Sequence, residues 1–558
     1  MKRFLSLILA FALMMSLLSG CFLLEPFRQH KILSDLPDED PLNSTPPSVR
    51  QDPGDDEPEG ILSYTLDQAM IDQFYDLLAD SEKVAVAGKD LDAAQEAADR
   101  LDEVYSQIMN QRQIAYILYC SDQSSQAGKE RYLDCVELLS EMETAYNAMC
   151  KRVYQSQTPL RKVLFADWTQ KEIDMLLAYN DEIARLEKRN SEIVLEYRDL
   201  KEDDWEENMV VLYNETVRNN NRIAQIYGYE NYYAYAYDVV YQRDYGMDSI
   251  ARLRQYTSVY LSNVIMVAVA QFNTSYEQLT SEQKLWISNL LYDPYNSLDF
   301  NYVRLFIQDM PKSSQTAMNE MFEKERALYT ESNNAFAGAF TTMLGDEPFC
   351  FFGPEYAVTD SVIHELGHYY GISYTDYWEQ PMDLSETQSQ GNEWMYMYFL
   401  RKCSDPQIYQ AMLNYKMLTE ISYIMAFVMI DQFEEQVYSH PNAGNLTLKE
   451  YDAIMTQVAR DYGGIEMISS HVMDIQDYWK SVVLESPVYY VSYGVSSLAS
   501  INLFTMAEQD EAAAKEAYRK LMEEPQKGKG FLGNITYAGI EGPFDETVYR
   551  KIYSYYIK

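Results

Sequence analysis

The chain has 558 residues and is strongly acidic, with 86 Asp and Glu residues against 45 Lys and Arg and a formal net charge of -41. Binding to nucleic acid or to an anionic membrane surface needs clusters of Lys and Arg, so this composition argues against both functions. The part that follows the N-terminal segments is about five hundred residues long, enough for one large domain or two coupled domains.

Residues 1–20 predict a secretory signal peptide. Two basic residues, Lys2 and Arg3, precede a long apolar run, and small residues follow before Cys21. The ending Leu-Ser-Gly-Cys looks like a bacterial lipobox, in which cleavage before the Cys is followed by attachment of lipid to its thiol. We therefore expect a lipoprotein held at Cys21 on the extracytoplasmic face of the cell membrane. An ordinary signal peptide with an incidental Cys is the alternative. No later segment reaches the roughly 18 apolar residues of a spanning helix, so this lipid is the predicted anchor.

The next segment, 21–62, begins with the lipidated Cys and continues as a predicted disordered linker. It is crowded with Pro, Asp, Glu and Gly and has too few large apolar residues to bury a core. Such a linker would hold the folded part of the protein away from the bilayer.

From Leu62 to about Tyr329 the sequence shows helical periodicity with few breakers. In "LDQAMIDQFYDLLADSEKVA" and in "EMETAYNAMCKRVY", apolar residues recur every three or four positions, as in amphipathic helices that pack on one another. The sequence thus predicts a mostly α protein, with residues 63–250 as a helical N-terminal lobe.

The spacing of the cysteines argues against a cysteine zinc site, because no two of them form a CxxC pair. An odd number also leaves at least one thiol unpaired if disulfides form. Besides Cys21 they are Cys120, Cys135, Cys150, Cys350 and Cys403.

Two short β-prone runs, 339–344 and 349–352, flank the turn signal Gly-Asp-Glu-Pro at 345–348. They predict a β-hairpin. The free edge of such a hairpin could bind an extended peptide by strand addition. A purely structural hairpin is the alternative, and the sequence leaves both open.

The stretch "DSVIHELGHYYG" follows the hairpin and predicts a helix from about Thr359 to Tyr370 that ends at Gly371. On this helix His364 and His368 lie one turn apart on one face. The chain has only five histidines, which makes this pair more specific than it would be in a His-rich protein.

These residues form an H-E-x-x-H pattern, with Glu365 between the two histidines. Two neutral imidazoles are ligands for Zn²⁺, and the carboxylate is placed to take a proton from the attacking water and to deliver it to the leaving amine. The pattern also occurs in ordinary solvated helices, so a third protein ligand is needed to complete the hypothesis.

The segment "DLSETQSQGNEWMYMYFL" predicts a second helix, with Asp383 or Ser385 as its N-cap. Glu386, Gln390 and Glu393 share one face of this helix. We take Glu386 as the third ligand and Glu393 as a carboxylate that orients a ligand imidazole through its other N–H. The candidates for the third ligand downstream of His368 are Asp376, Glu379, Asp383, Glu386 and Glu393.

The segment "IHELGHYYG" followed by "DLSETQSQGNEWMY" resembles the thimet oligopeptidase and oligoendopeptidase F family of zinc peptidases. That family has H-E-[FL]-G-H, then a ligand Glu opening a helix, with another Glu seven residues later. The segments "NNNRIAQIYGYENYYAY" and "AGIEGPFDE" are similar to further family patterns. The resemblance extends from about residue 200 to the C terminus, and the N-terminal helical part matches only in general character.

The resemblance implies a two-lobed, mostly helical zinc-peptidase fold of the thermolysin-like HExxH type. It implies a deep central channel with zinc on its floor, a small β-hairpin or sheet beside the active site, and a catalytic lobe at 251–558. A channel of this kind admits short unfolded peptides and excludes folded proteins.

The family also implies a tyrosine-rich segment, which "ESPVYYVSYGVSSLAS" resembles. Tyr489, Tyr490 and Tyr493 are candidates for donating a hydrogen bond to the oxyanion that forms during amide hydrolysis. At least one of them must be a packing residue, because adjacent side chains cannot all face one point. Better-known members carry a His shortly before these tyrosines; none is present here, and His471 lies too far upstream to take that role.

The sequence therefore predicts a membrane-anchored zinc metalloendopeptidase that hydrolyses oligopeptides, with Glu365 as general base and acid. A non-catalytic peptide-binding lipoprotein for uptake or sensing is the main alternative, and a structural helical surface protein is a third. A binding protein has no need for Glu365, which favours the enzyme.

Overall fold

The structure is a computed structural model that describes residues 60–166, 168–198, 200, 205–292, 297–330, 332–354, 356–375, 380–463 and 475–557. The predicted signal peptide, Cys21 and most of the predicted linker lie outside the described residues. At the end of that linker, Gly60–Leu62 form a 3-10 turn, and Leu62 is buried.

The prediction of a mostly helical protein is confirmed. The helices of the described residues are α1 Gln68–Ala87, α2 Leu91–Ser121, α3 Gln126–Gln155, α4 Arg161–Leu164, α5 Gln170–Ala178, α6 Asp181–Arg198, α7 Trp205–Ile226, α8 Tyr232–Tyr235, α9 Met247–Tyr256, α10 Ser262–Glu277, α11 Ser281–Tyr292, α12 Ser297–Asp309, α13 Lys312–Glu323, α14 Thr359–Ile372, α15 Met382–Cys403, α16 Pro406–Tyr438, α17 Leu448–Asp461, α18 Ile475–Val482, α19 Val491–Gln509, α20 Glu511–Glu523, α21 Gly530–Ala538 and α22 Glu546–Tyr556. Two π-helical turns, Ala236–Val240 and Thr257–Leu261, follow α8 and α9.

Helix α1 shows how the N-terminal helices follow from their sequence. It begins where the Asp67 side chain accepts a hydrogen bond from the backbone N–H of Met70, and it ends at Gly88, whose φ of 62° is left-handed. One stripe of the helix is buried at intervals of three or four residues, as its periodicity predicts. The stripe consists of Phe74, Leu78, Ser81 and Ala85.

The described residues contain three apolar clusters. One lies among α1, α2, α3 and α5, and a second joins α2 and α3 to the sheet through residues such as Phe340 and Phe351. The third and largest includes residues from α6 to α22. Because this cluster contains side chains on both sides of residue 250, the division into two lobes there stays a prediction.

The sheet has three strands, β1 Ala327–Tyr329, β2 Ala339–Leu344 and β3 Glu347–Phe352, in the order β1-β3-β2. Strands β2 and β3 form an antiparallel hairpin, which confirms the predicted one. The turn is shorter than the signal 345–348, because the pairing continues to Glu347. Strand β1 pairs parallel to β3 and was not predicted, since three residues carry no alternation to detect.

Helix α14 agrees with the predicted helix within two residues, although Gly371 lies inside it. The predicted N-cap of α15 is wrong. The helix begins after Pro381 without a side-chain cap, and both Asp383 and Ser385 lie within its first turns. Pro381 occupies the N-cap position with a φ of −59° and a ψ of 139°, and its side chain has no atom that could accept a hydrogen bond from the first turn. The carboxylate of Asp383 instead faces Arg243, whose Nε lies 4.0 Å from its Oδ1.

None of the helices in the described ranges combines the length and apolar character that crossing a membrane requires. The five cysteines within these ranges are free thiols, and only Cys403 among them is exposed.

Candidate metal centre

Helices α14 and α15 cross at very close range. A Cβ built on Gly367 would lie only 2.7 Å from the Cα of Ser389 and 3.0 Å from the Cβ of Asn392. The side-chain amide of Asn392 donates a buried hydrogen bond of 2.7 Å to the backbone carbonyl of Ile363. Glycine in the His-containing helix thus allows the second helix to approach, and the amide bond fixes its position.

This crossing brings together His364, His368 and Glu386. Oε2 of Glu386 lies 3.7 Å from Nε2 of His364 and 3.6 Å from Nε2 of His368. One ligand atom from each residue lies within 4.8 Å of the others. Nε2 of His364 is buried and has no hydrogen-bond partner among the described residues. Two imidazoles and one carboxylate are a donor set that suits Zn²⁺ with an open fourth position, so these residues could hold that ion.

Glu393 contacts the opposite nitrogen of His364. Its Oε1 lies 2.6 Å from Nδ1, and its Oε2 forms a buried ion pair with Lys416. Lys416 also pairs with Glu420 at 2.7 Å. Although burial acts to raise the pKa of Glu393, Lys416 and His364 hold it well below its ordinary value. An ionised carboxylate accepts a hydrogen bond from Nδ1–H and thereby directs Nε2 toward the donor set.

The two histidines differ in their surroundings. Burial lowers the pKa of His368 well below its ordinary value, and the charge of His364 lowers it further. Burial also lowers the pKa of His364, but the hydrogen bond and charge of Glu393 outweigh it and raise that pKa to about 9. Nδ1 of His368 lies 3.3 Å from the hydroxyl of Ser385. A metal ligand must be deprotonated, so a cation that binds to His364 releases a proton from it.

Glu365 is completely buried beside the donor set. The hydroxyl of Thr341, in β2, donates a 2.6 Å hydrogen bond to its Oε2. The sheet edge therefore restrains the carboxylate that the sequence predicts as the general base.

The three candidate tyrosines are all buried but have different contacts. Tyr489 donates from its hydroxyl to Oε1 of Glu386 at 2.6 Å, so the two oxygens of that carboxylate face different groups. The rings of Tyr490 and Tyr493 pack on Phe427, with centroids 5.6 and 5.5 Å apart. The contact of Tyr489 favours a role in orienting Glu386, whereas an oxyanion role stays a prediction for the other two.

Sequence reasoning named the three donors, Glu365 and the supporting carboxylate Glu393, but it did not name Thr341, Lys416 or Glu420. Thr341 was part of a predicted strand, but no pattern indicates which side chain a strand presents to a distant helix. Lys416 and Glu420 could have been found from the sequence. They lie four residues apart within the apolar run of α16, where a charged pair is expected to be buried together.

Three residues discussed from sequence, Asp376, Glu379 and His471, lie outside the described residues. An open cleft of about 650 Å³ lies beside the start of α15. Residues of α5, of the 238–244 segment and of the 523–530 segment also line it, and the metal donor set does not. The predicted central channel therefore stays a prediction.

No protein-family model matches the chain, and no curated protein matches it by sequence. Its fold is nevertheless similar to that of solved peptidase structures. Pz peptidase A with an inhibitor is 15% identical, with a TM-score of 0.68, and the match covers 88% of this chain and 98% of that one. A provisionally named oligoendopeptidase F from Bacillus anthracis str. Ames is 14% identical, with a TM-score of 0.66 and coverage of 88% and 96%.

A third similar structure is oligoendopeptidase-F from Enterococcus faecium, at 11% identity and a TM-score of 0.52, with coverage of 88% and 97%. At such identities the likeness shows the fold alone. The chain has the helical fold of these peptidases over nearly their whole length.

Proposed function

We propose that this protein is a zinc metalloendopeptidase that hydrolyses oligopeptides. The observation that carries the proposal is the convergence of His364, His368 and Glu386, with Glu365 buried beside them. Nε2 of His364 faces this set and has no hydrogen-bond partner in the part of the chain that the structure describes. The fold shared with oligoendopeptidases supports the same conclusion.

A zinc ion held by these three residues would supply Lewis acidity to the attacking water and to the scissile carbonyl. Glu393 fixes the tautomer of His364 by accepting a hydrogen bond from its Nδ1–H, so that the lone pair lies on Nε2. Tyr489 occupies Oε1 of Glu386 and leaves Oε2 on the side of the two imidazoles.

Glu365 is the proposed general base and acid. It accepts a proton from the attacking water and delivers it to the leaving amine. Thr341 restrains one of its oxygens by a 2.6 Å hydrogen bond, which limits the orientations that the carboxylate can take. A restrained base loses little freedom at the moment of proton transfer.

The hydroxyls of Tyr490 and Tyr493 are the remaining candidates for stabilising the oxyanion. Both side chains are in the same buried aromatic group as Tyr489, with the ring of Tyr493 at 5.1 Å from that of Tyr489. The donor is the one whose hydroxyl reaches the substrate carbonyl, and the other packs.

The proposed substrate is an oligopeptide bound in extended form, with the edge of β2 as the candidate for strand addition. Thr341 belongs to this strand and contacts Glu365, so a peptide along β2 would pass beside the base.

The test is mass spectrometry of products from a defined library of peptides of graded length, with the mature protein loaded with zinc. Internal cleavage that stops on chelation and returns with zinc is the expected result, and release of single C-terminal residues would instead indicate a carboxypeptidase. Zinc-loaded Glu365→Gln is the inactive control, and Glu96→Gln, an exposed site in α2, is the matched control for the same change of charge. Peptide binding without cleavage in the zinc-loaded protein would favour the non-catalytic peptide-binding alternative.

We also propose attachment to the extracytoplasmic face of the membrane through lipid on Cys21. The support is the lipobox-like sequence alone. Cys21→Ala should release the protein from membranes or block its processing. Unchanged membrane fractionation, with no loss of metabolic lipid label, would contradict the anchor without affecting the peptidase proposal.

A further inference from the structure

The backbone that carries the tyrosines is strained. Val488 lies between α18 and α19 with a φ of 64°, and its side chain is buried. Left-handed backbone is rare for a β-branched residue, and such a conformation persists only where surrounding contacts hold it. The neighbouring residue is Tyr489, whose hydroxyl contacts Glu386.

Three side chains from distant parts of the chain hold this strained turn. Oε1 of Glu434, in α16, accepts the backbone N–H of Val488 at 2.8 Å. The guanidinium of Arg243 donates to the carbonyl of Val488 at 2.8 Å, and the hydroxyl of Tyr241 donates to the carbonyl of Pro487 at 2.7 Å. We call Glu434, Arg243 and Tyr241 the backbone clamp.

The clamp is made of groups that are expensive to bury. Glu434 is fully buried, and its Oε2 has no hydrogen-bond partner among the described residues. The side chain of Arg243 is also fully buried. Burying such groups lowers stability unless they are fully paired, so apolar side chains would serve better if the turn needed only packing.

The conformation of the turn decides where the Tyr489 hydroxyl lies. A backbone change at Val488 moves the next Cα and redirects the ring that follows it. Tyr489 donates at 2.6 Å to Oε1 of Glu386, while Oε2 of that carboxylate lies 3.6 Å from Nε2 of His368. The clamp, the turn, Tyr489 and Glu386 therefore form one continuous series of contacts.

We infer that the backbone clamp of Glu434, Arg243 and Tyr241 positions the metal centre, acting through Val488 and Tyr489 on the carboxylate of Glu386. The inference rests on the proposed function and deepens it. It assigns an effect on zinc affinity to residues that lie outside the donor set.

The experiment is a double-mutant cycle with zinc affinity as the readout, measured by competition with a chromogenic chelator on the full mature chain. Glu434→Met removes the acceptor of the Val488 N–H and keeps the side-chain length. Glu434→Gln keeps that acceptor, and because burial raises the pKa of Glu434 well above its ordinary value, the amide also resembles the neutral acid. Tyr489→Phe removes the contact with Glu386 and keeps the ring.

Loss of an outer contact to a metal ligand weakens zinc binding by about 10- to 100-fold. We expect that loss for Tyr489→Phe and for Glu434→Met. Glu434→Gln should remain within about threefold of wild type, because it restores the hydrogen bond. The double variant Glu434→Met with Tyr489→Phe should bind zinc no more weakly than Tyr489→Phe alone, since both changes act through one contact.

Wild-type zinc affinity in Glu434→Met would overturn the inference, as would losses that multiply in the double variant. If Glu434→Met does not fold, Tyr241→Phe takes its place, and full zinc affinity in that variant overturns the inference equally. A wild-type protein that binds no zinc would overturn the proposed function, and the inference with it, so the two failures are distinguishable.

Discussion

Helices α1 and α15 have similar lengths, 20 and 22 residues, but they bury different kinds of side chain. Helix α1 buries one narrow and mostly apolar stripe. Helix α15 is buried on all sides from Glu386 to Met397, and this stretch includes the polar run "ETQSQGNE". Each of these polar groups loses hydration on burial, so the region carries a free-energy cost that α1 does not.

The two helices therefore contribute differently, α1 to the stability of the fold and α15 to the arrangement of polar groups. Residues such as Phe74 in α1 stabilise the fold through apolar burial. Residues such as Glu386 and Glu393 in α15 are polar groups that the fold holds in place beside the two histidines of α14. Substitutions in α1 are therefore expected to change the free energy of unfolding, and those around α15 to change metal binding and turnover.

The largest effect is expected at Glu365, next to α15 in the site. Glu365→Gln should keep zinc and peptide affinity and lose about 10³- to 10⁴-fold in kcat, which corresponds to about 4 to 5.5 kcal/mol in the barrier. The measurement is kcat and KM on one fluorogenic peptide, with zinc quantified in each sample. Near-normal turnover in the zinc-loaded variant would be incompatible with the proposed mechanism.

The converse effect is expected at Phe74, which is fully buried in α1 with its ring 5.3 Å from that of Tyr75. Phe74→Ala should lower the free energy of unfolding by about 3 to 5 kcal/mol through lost burial and a residual cavity, without changing zinc affinity. Val86→Ala, at an exposed position of the same helix, is the control and should change stability by less than about 0.5 kcal/mol. The measurements are denaturant unfolding and zinc titration. A large change in zinc affinity would mean that the two regions are energetically coupled.

A smaller effect is expected at the aromatic group that packs beside α15. Either Tyr490→Phe or Tyr493→Phe should lose about 10²- to 10³-fold in kcat with little change in KM, because one oxyanion donor is removed. The other variant should resemble wild type. If both variants turned over normally, the oxyanion assignment would be wrong, while the zinc ligands would be unaffected.

The smallest effect is expected at Glu393, and the comparison with Glu386 in the same helix tests the ligand assignment. Glu393→Ala should weaken zinc binding by about 10- to 100-fold, because the partner of His364 Nδ1 is lost. Glu386→Ala removes a donor and should lower zinc occupancy much further. Equilibrium dialysis against buffered zinc measures both, and the reverse order would show that the ligand assignment is wrong.

The features that could be predicted from the sequence are those set by local patterns, as in α1. The stripe of α1, the β2–β3 hairpin and the bounds of α14 follow from periodicity and turn residues, which are local signals. The spacing of His364, His368 and Glu386 predicted the donor set that the structure brings together.

The remaining features depend on contacts between distant segments. The polar run of α15 looks like a solvated helix, and only the packing around it reveals that it is buried. The N-cap prediction failed for the same reason, because Asp383 and Ser385 turn toward Arg243 and His368. Likewise, the contact between Tyr489 and Glu386 depends on a turn whose φ no local pattern predicts.

The close crossing at Gly367 also limits how the molecule can move. With the Cα of Ser389 2.7 Å from the position that a Cβ would occupy, α14 and α15 are in direct backbone contact at Gly367, and one turn further on the Gln388 side chain fills the space beside Gly371. Sliding one helix past the other would drive these atoms into overlap, so this pair should behave as one rigid body. Any motion that opens the fold around these two helices must then hinge elsewhere. The amide protons on both sides of the crossing should exchange with deuterium only through the rarest openings of the protein.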